Sequence, residues 1–394
     1  MEDYEEQEVE FWAKTAEMDM SRSAMLRRSV AAVAGLTIVG NASTAFGMTR
    51  AAAPPVTMTK GELAELVKNA KKEGHLNTIA LPPDWANYGE ALHVFPRKYG
   101  IGITNSNPDG TSGQENQAVQ SLKGDPRAPD CVDDSPTFII QGTVAGLFAK
   151  YKNSNFKTVP RAMKDTRGFW TGDYWGAISI GYNSSLVKTP PKTFKDLLKP
   201  EYHGQVALNG NPTTAGSGVA GVFAATLANG GNLNDVNPGI DWFAKLKAAG
   251  NWIPVDASPQ TVASGQTPIV IDWDYLNLAY VKEFPAANWK VNIPSDGVYG
   301  SYYCQAVNAT APHPWAARLW QEFLYSDQGQ LIFLKGYTHP ARFQDLASRG
   351  VIPKALLAAL PPAAIYAKVK FANQAQQTKA GQVIQKEWPA KMGA

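Results

Sequence analysis

Strand-like segments alternate with helix-like segments along this chain, and the alternation occurs twice. The first half is predicted to contain strands at 76–81, 101–103 and 129–133, with helices at 90–98 and 114–122. The second half is predicted to contain strands at 204–208, 251–255 and 269–271, with helices at 219–227 and 241–249. Alternating strands and helices are typical of α/β folds, in which helices cover both faces of a sheet. The sequence therefore predicts an α/β protein with two similar halves.

The length of 394 residues exceeds what a single hydrophobic core supports, which favours two lobes. Strands predicted at 174–183 and 302–307 connect the halves. We therefore assign 58–175 and 304–394 to a discontinuous first lobe and 176–303 to a second lobe. The formal net charge of +3 and the lack of a basic run with interleaved aromatics argue against a nucleic-acid partner.

The first 47 residues have the layout of an export signal rather than of a folded domain. Arginines at 22, 27 and 28 precede an apolar run at 30–40 and small residues at 42–45. The run is too short to span a bilayer. Arg27-Arg28 leaves a twin-arginine route open, and the acidic stretch before it leads us to expect that translation starts at Met20 or Met25.

Cys131 and Cys304 are the only cysteines. Export would permit a disulfide between them. We favour two separately buried thiols, because spacing in sequence does not give geometry.

The strongest candidate for a binding site is the end of the strand 269–271. Asp272, Trp273 and Asp274 follow it directly, and in open α/β sheets ligands gather at the carboxyl ends of strands. An aromatic face beside carboxylates attracts an organic cation. Alternatively, one of the two aspartates caps the next helix.

Other predicted strands also end in polar or aromatic residues that could contact a solute. These are Asp84, Trp85 and Tyr88 after the first strand, and Asp134 and Ser135 after the third. Asp173, Tyr174 and Trp175 lie just before the first crossing and could line the hinge side of the cleft. The alternative for the aromatic residues is packing between the lobes or in the core.

Two polar turns at predicted helix starts could bind an anion through backbone N–H groups. They contain Thr111 and Ser112 in the first half, and Thr214, Gly216 and Ser217 in the second. The alternative is that they only cap helices. The glycines at 216, 218 and 221 formally match a dinucleotide motif, which we interpret as accidental because no second strand ending in an acidic residue follows.

Several segments, taken in order, are similar to those of substrate-binding proteins of bacterial ABC importers, in the branch that binds iron(III), polyamines and aminoethylphosphonate. They are Ala70-Lys71-Lys72-Glu73-Gly74, Ala128-Pro129-Asp130, Ser179-Ile180-Gly181-Tyr182-Asn183, Asp196-Leu197-Leu198, Gly204-Gln205-Val206-Ala207, Ala311-Pro312-His313-Pro314 and Phe323-Leu324-Tyr325-Ser326-Asp327-Gln328-Gly329-Gln330. The resemblance extends over roughly residues 58–345.

The resemblance implies a type II periplasmic-binding-protein fold, with two lobes of mixed sheet flanked by helices and joined by a two-strand hinge. It further implies a periplasmic or surface-tethered monomer that closes on a small solute and docks on a membrane permease, with no cofactor and no catalytic residues. Iron(III) binders of this branch carry adjacent tyrosines where this chain has Asp272-Trp273-Asp274-Tyr275. Tyr302 and Tyr303 are adjacent, but strand alternation points them to opposite faces.

We therefore expect a small amine-bearing, polyamine-like solute, because carboxylates and aromatic residues stand at the strand ends and no lysine or arginine does. Aminoethylphosphonate and iron(III) remain alternatives. Two other classes also remain open: a secreted enzyme, for which we find no known catalytic motif, and a periplasmic partner of a sensor.

Overall fold

The structure, a computed structural model, describes residues 54–393. The predicted signal peptide and the alternative start codons lie outside the described residues. The helices are α1 Leu63–Glu73, α2 Tyr88–Tyr99, α3 Ser112–Ser121, α4 Pro136–Val144, α5 Gly216–Ala228, α6 Asn237–Ala248, α7 Pro259–Ala263, α8 Asp274–Glu283, α9 Pro314–Leu324, α10 Asp327–Lys335, α11 Phe343–Ser348, α12 Lys354–Leu357, α13 Ala363–Tyr366 and α14 Gln374–Met392. Short 3₁₀ helices occur at Lys60–Glu62, Phe156–Thr158, Arg161–Met163, Asp196–Leu198, Pro200–Tyr202 and Pro285–Ala287.

The strands form a large mixed sheet and a small parallel one. They are β1 His75–Ile79, β2 Gly102–Ser106, β3 Cys131–Asp134, β4 Phe148–Ala149, β5 Thr171–Asn183, β6 Val206–Leu208, β7 Ile269–Trp273, β8 Trp289–Asn292, β9 Gly300–Asn308 and β10 His339–Pro340. The large sheet has the order β3-β9-β5-β7-β6, with β4 on β9 and with β8 and β10 on β5, whereas β1 and β2 pair only with each other. The mixed α/β architecture with two lobes agrees with the fold class predicted from the sequence.

Strand β5 connects the two lobes. Its first half pairs with β9, and its second half pairs with β7 and β8. With the lobe boundaries predicted from the sequence, β1 to β3 and α1 to α4 fall in the first lobe, and β6 to β8 and α5 to α8 fall in the second. Because β9 returns beside β5, the predicted two-strand connection is present. A shift of register between Gly172 and Trp175 interrupts the β5–β9 ladder at the junction.

Strand β7 is buried along its whole length, as its apolar β-branched residues predict for a strand covered on both faces. It ends at Trp273, where α8 begins. The strand predicted at 251–255 is wrong: only Trp252 forms a bridge, to Val206. Pro254 has no N–H to donate, so the ladder cannot continue through it.

The last helix, α14, packs against α4 of the first lobe and α6 of the second. Gln377 illustrates the first contact, since its Oε1 accepts from Thr137 Oγ1 at 2.7 Å. Lys391 illustrates the second, with its Nζ 2.5 Å from Asp241 Oδ1. The assignment of 304–394 to the first lobe stays a prediction for this helix, because it contacts both lobes.

Both cysteines are free and buried. In the β3–β9 ladder Cys131 lies opposite Val307 and Cys304 lies opposite Asp134, so the two thiols stand at different levels of the sheet. The preference for separate thiols is therefore confirmed. Within residues 54–393, no helix is both long enough and apolar enough to cross a bilayer.

Candidate functional site

Five aromatic residues from both lobes meet where β5 and β9 pass between them. Ring centroids lie 6.0 Å apart for Trp85 and Tyr275, 5.7 Å for Tyr174 and Tyr303, and 6.0 Å for the stacked pair Trp273 and Tyr275. Trp85 Nε1 also donates to the Tyr174 hydroxyl at 2.9 Å. We call these residues the aromatic cluster; Trp85, Tyr174 and Trp273 were predicted site residues.

The irregular pairing of β5 explains why Tyr174 faces the cluster. It lies in the register shift between Gly172 and Trp175, and a bulge of this kind re-aims side chains. Trp175 points elsewhere: its ring stacks on His339 with centroids 4.0 Å apart. The structure therefore brings Tyr174 into the cluster and separates Trp175 from it.

Five buried carboxyl groups lie around the aromatic cluster. They belong to Glu115, Asp133, Asp134, Asp173 and Asp272, each at most 5% exposed. Burial is the largest cause of a raised pKa in all of them, to about 6 for Asp133 and about 7 for Asp272. No lysine or arginine among residues 54–393 forms an ion pair with any of the five. The site is therefore acidic and lacks an internal counter-ion in the described part of the chain.

Asp272, on the second lobe, keeps one carboxylate oxygen unused. Its Oδ1 accepts from Asn209 Nδ2 at 2.9 Å and from the Trp273 N–H at 2.7 Å. Its Oδ2 is buried, and no described donor reaches it. The Tyr275 hydroxyl is likewise buried and without a partner among the described residues. These two groups, one acceptor and one hydroxyl, thus have hydrogen-bonding capacity that no described residue uses.

Asp274 has different surroundings because the strand ends one residue before it. Its Oδ1 accepts from the backbone N–H of Ala177 at 3.0 Å and of Tyr275 at 2.9 Å. Its Oδ2 accepts from the Tyr366 hydroxyl at 2.5 Å. Both oxygens thus hold neighbouring elements together, and its role in solute contact stays a prediction.

The two polar turns predicted to bind anions contact each other across the lobes. Gly113 N–H, at the start of α3, donates to the Thr214 carbonyl at 2.9 Å. Gly216, at the start of α5, lies so close to Ser135 that a Cβ at 216 would be 2.2 Å from Ser135 Cβ. The backbone N–H of Gly113 is therefore used between the lobes.

The remaining side chains of these turns are engaged within their own lobes. Thr111 caps α3, Ser112 Oγ accepts from the Ser135 N–H at 3.1 Å, and Ser217 Oγ donates to the Asn209 carbonyl at 2.7 Å. Among the predicted site residues at strand ends, Tyr88 is buried with its hydroxyl 2.8 Å from Asp133, whereas Asp84 is half-buried.

Several residues of the site were absent from the predicted set. Asp133 and Gln305 belong to the strands β3 and β9. Alternation along a strand sorts its side chains onto two faces, but it does not tell which of the two faces meets the site. Tyr303 joins the aromatic cluster while Tyr302 stacks on Trp170 at 6.2 Å, so the prediction that these rings face opposite ways is confirmed. The signal that could have identified Asp133 is its position beside Asp134 at the end of an apolar strand.

Within the described residues, no group of three or more histidine, cysteine, aspartate or glutamate side chains is arranged to hold a metal ion. What the site offers instead is aromatic faces, carboxylate oxygens and hydroxyls, all at the junction of the lobes. Such a set of groups can hold an organic cation by cation–π and charge-assisted contacts.

This arrangement of lobes is that of the two-lobed substrate-binding proteins of ABC importers. AfuA from Actinobacillus pleuropneumoniae, a periplasmic binding protein with fructose-6-phosphate bound, matches with 17% identity and a TM-score of 0.64 over 81% of this chain and 99% of the other. Iron-bound HitA from Pseudomonas aeruginosa matches with 22% identity and a TM-score of 0.61 over 79% and 99%. A putative spermidine/putrescine ABC transporter protein from Listeria monocytogenes matches with 14% identity and a TM-score of 0.58 over 80% and 99%.

The sequence profile of the family described as bacterial extracellular solute-binding protein matches residues 135–369, and the chain belongs to this family. The expected ABC substrate-binding protein of type II fold is thereby confirmed. The family and fold are those of solute-binding proteins of transport, and the extracellular family implies export to the periplasm or cell surface. None of the curated proteins compared with the chain matches it.

Proposed function

We propose that this protein is the exported binding component of an ABC importer, that it captures a small polyamine-like cation between its lobes, and that it delivers this solute to a membrane permease. The residues proposed to contact the solute are Trp85, Tyr174, Trp273, Tyr275 and Tyr303, together with the carboxyl groups of Asp133 and Asp272. The protein is proposed to act as a monomer.

The observation that carries the choice of solute is the buried acidic group without a basic partner. A buried carboxylate is costly unless a cation or several donors pair with it. Asp272 is 1% exposed, and no donor within the described part of the chain reaches its Oδ2. A solute ammonium would supply both the charge and the donors, and the aromatic rings would cover its methylene groups.

An anionic solute fits this site poorly. A phosphate or phosphonate would stand beside carboxyl groups, and like charges in a buried site repel strongly. The backbone N–H of Gly113, which follows Thr111 and Ser112 in the turn predicted to bind an anion, already donates to the Thr214 carbonyl. These facts support an amine ahead of aminoethylphosphonate, whose amine end alone suits the cluster.

A thermal-shift panel tests the proposal. The purified protein would be heated with putrescine, spermidine, aminoethylphosphonate, ferric citrate and fructose-6-phosphate in separate wells. A solute present at a hundred times its Kd stabilises the folded state by about 2.7 kcal/mol, so an amine that binds should raise Tm by several degrees. Stabilisation by fructose-6-phosphate or ferric citrate without any by the amines would refute the proposed solute class.

Two variants make the panel specific. Asp272→Asn removes the charge of the unpartnered carboxylate with little change of shape, and it should abolish most of the amine shift. Glu201→Gln removes one negative charge from an exposed position of the same lobe and should keep the full shift. Equal shifts in both variants would exclude Asp272 from the site.

A further inference from the structure

Two buried aspartates, Asp133 and Asp173, meet at one tyrosine hydroxyl beneath the aromatic cluster. The Tyr88 hydroxyl lies 2.8 Å from Asp133 Oδ2 and 3.1 Å from Asp173 Oδ2. Gln305 Nε2 donates to the same hydroxyl at 2.9 Å and to Asp173 Oδ2 at 3.2 Å. Tyr174 completes the arrangement, because its hydroxyl donates to Asp133 Oδ2 at 3.0 Å.

The number of available protons limits how these groups can be bonded. A phenol has one proton, so Tyr88 can donate to one of the two carboxylates and not to both. Its contact with the other aspartate is then favourable only if that carboxyl group carries a proton and donates it. Two ionised carboxylates in one buried site also repel each other, which favours a protonated partner. Hydrogen bonding and charge thus both require a proton on the pair.

The direction of the pKa values agrees with this count. Burial raises the pKa of Asp133 to about 6, although hydrogen bonds from Tyr88 and Tyr174 oppose the rise. Burial, followed by the charge of Asp133, raises the pKa of Asp173 well above its usual range. Both shifts favour the same outcome as the hydrogen bonds, which is retention of a proton by the pair when no solute is bound.

Two acceptor atoms at the pair have no donor. Asp133 Oδ1 and Gln305 Oε1 are buried, and no donor of residues 54–393 reaches either of them. Gln305 is 1% exposed, and its amide nitrogen already contacts Asp173, so its free oxygen belongs to the same cluster. An ammonium group has three N–H donors and no acceptor, so it could supply the donors that these two acceptor atoms lack.

The titratable groups that face the pair from the surrounding elements are all acidic or neutral. They are Tyr88 from α2, Glu115 from α3, Asp134 from β3, Tyr174 from β5, Asp272 from β7, Tyr275 from α8, Tyr303 and Cys304 from β9, and Tyr325 after α9. None of them can supply the positive charge that two ionised aspartates would need.

We propose that Asp133 and Asp173 form the subsite for an ammonium group of the solute, and that this group replaces a proton that the pair holds in the empty protein. The proposal rests on the proposed function, since it needs a cationic amine. The exchange is balanced without covalent chemistry. The empty protein with one shared proton binds R–NH₃⁺, both carboxylates become ionised, and one proton passes to the solvent.

Calorimetry measures the released proton directly. Putrescine and spermidine would be titrated into the protein at about pH 6 in phosphate and in a buffer with a large ionisation enthalpy. The difference in apparent enthalpy gives the number of protons released, and the pair should contribute about one per bound solute. Because only the empty form holds the proton, raising the pH removes its competition, so affinity should rise up to about tenfold per pH unit and level off above the pKa of the pair.

Variants separate the pair from Asp272, which also titrates in this range. Asp173→Asn keeps the shape of the pair but removes its shared proton, so proton release should fall by about one and the pH dependence should flatten. Asp272→Asn should leave the contribution of the pair in place. Should Asp173→Asn fail to fold by circular dichroism, Asp133→Asn removes the proton from the other side.

Binding of an amine without proton release in either buffer would overturn the subsite, as would unchanged release in Asp173→Asn. Neither result would touch the proposed function, because an amine would still bind. Failure of both amines to bind at all would instead refute the proposed function, and the subsite with it.

Discussion

Asp272 and Asp274 are separated by one residue, and the end of a strand between them gives their carboxylates different partners. Asp272 is the last-but-one residue of β7, and one of its carboxylate oxygens has no hydrogen-bond partner among the described residues. Asp274 opens α8 and binds the backbone of β5 together with the Tyr366 hydroxyl. The two aspartates look alike in the sequence, but their surroundings differ. Asp272 is suited to contact with a solute, and Asp274 is suited to holding α8 against the connecting strand β5.

Replacing Asp274 by alanine should therefore affect stability more than binding. The buried N–H of Ala177 and the hydroxyl of Tyr366 would lose their acceptor, and an unsatisfied buried donor costs about 1–3 kcal/mol. Urea unfolding would measure this loss, and titration with the amine found in the thermal-shift panel would measure affinity. Normal stability with lost affinity would instead support the solute contact predicted from the sequence.

At the residue scale the sequence identified groups near the ends of predicted strands and missed Asp133, Tyr303 and Gln305, which lie inside strands of the structure. Trp85 and Trp273 were predicted because each follows an apolar strand pattern, and Tyr174 was predicted because it stands just before the first crossing between the halves. The orientation of Asp173 and Tyr174 depends on the register shift in β5, and no local pattern specifies such a shift. To predict Tyr303 as a site residue, one must know which face of β9 meets the aromatic cluster, and only the pairing of the strands gives this information.

At the scale of elements, the starts of α3 and α5 form the contact between the lobes. The carbonyl of Thr214 accepts from Gly113 at 2.9 Å, and Gly216 packs on Ser135 without room for a side chain. These glycines lie in turns that suggested anion binding when seen one at a time. Their position against each other indicates that they let the two helix starts approach closely.

Gly216→Ala should hold the lobes apart and weaken solute binding without touching the solute. A Cβ at 216 would lie 2.2 Å from Ser135 Cβ, a distance at which the start of α5 or the segment around Ser135 must move away. Because apparent affinity falls with the fraction of closed protein, we expect a loss on the order of tenfold or more, measured by calorimetry.

The matched control is Gly221→Ala in the same helix. Its Cβ would lie 2.5 Å from Leu208 Cδ1, the far end of a side chain that can move aside, and 3.7 Å from Ile271 Cγ2, so it would meet no residue of the other lobe. Ser135→Gly removes the atoms that a Cβ at 216 would strike, so Gly216→Ala should have little effect in that background. An equal loss in both backgrounds would mean that Gly216 acts in some way other than through Ser135.

Most strands and helices near the site were predictable because their apolar residues recur with the periods of two and 3.6 that buried faces impose. Helix α14 was not predicted. Its buried Ala380, Ile384 and Trp388 recur every four residues, but the residues between them are mostly polar. The helices against which α14 packs, α4 and α6, lie far from it in the sequence. Its existence depends on tertiary contacts that a local pattern does not contain.

At the scale of the whole molecule, the lobes touch at the proposed site, whose carboxyl groups lack a basic partner among residues 54–393. Burying such groups opposes closure, whereas a bound cation favours it. Small-angle scattering should therefore give a larger radius of gyration for the empty protein than for the protein with saturating amine. A neutral sugar at the same concentration should have no effect. Superimposable curves with and without amine would contradict closure by the solute.

Both cysteines of the chain, Cys131 and Cys304, are buried, and burial raises the pKa of each thiol well above its usual range. Dyes that label cysteine react with the exposed thiolate. A cysteine introduced near the contact between the lobes would thus be labelled selectively in an otherwise native chain. Emission from a fluorophore at that position would change with solute capture, which makes the protein a starting point for an optical sensor.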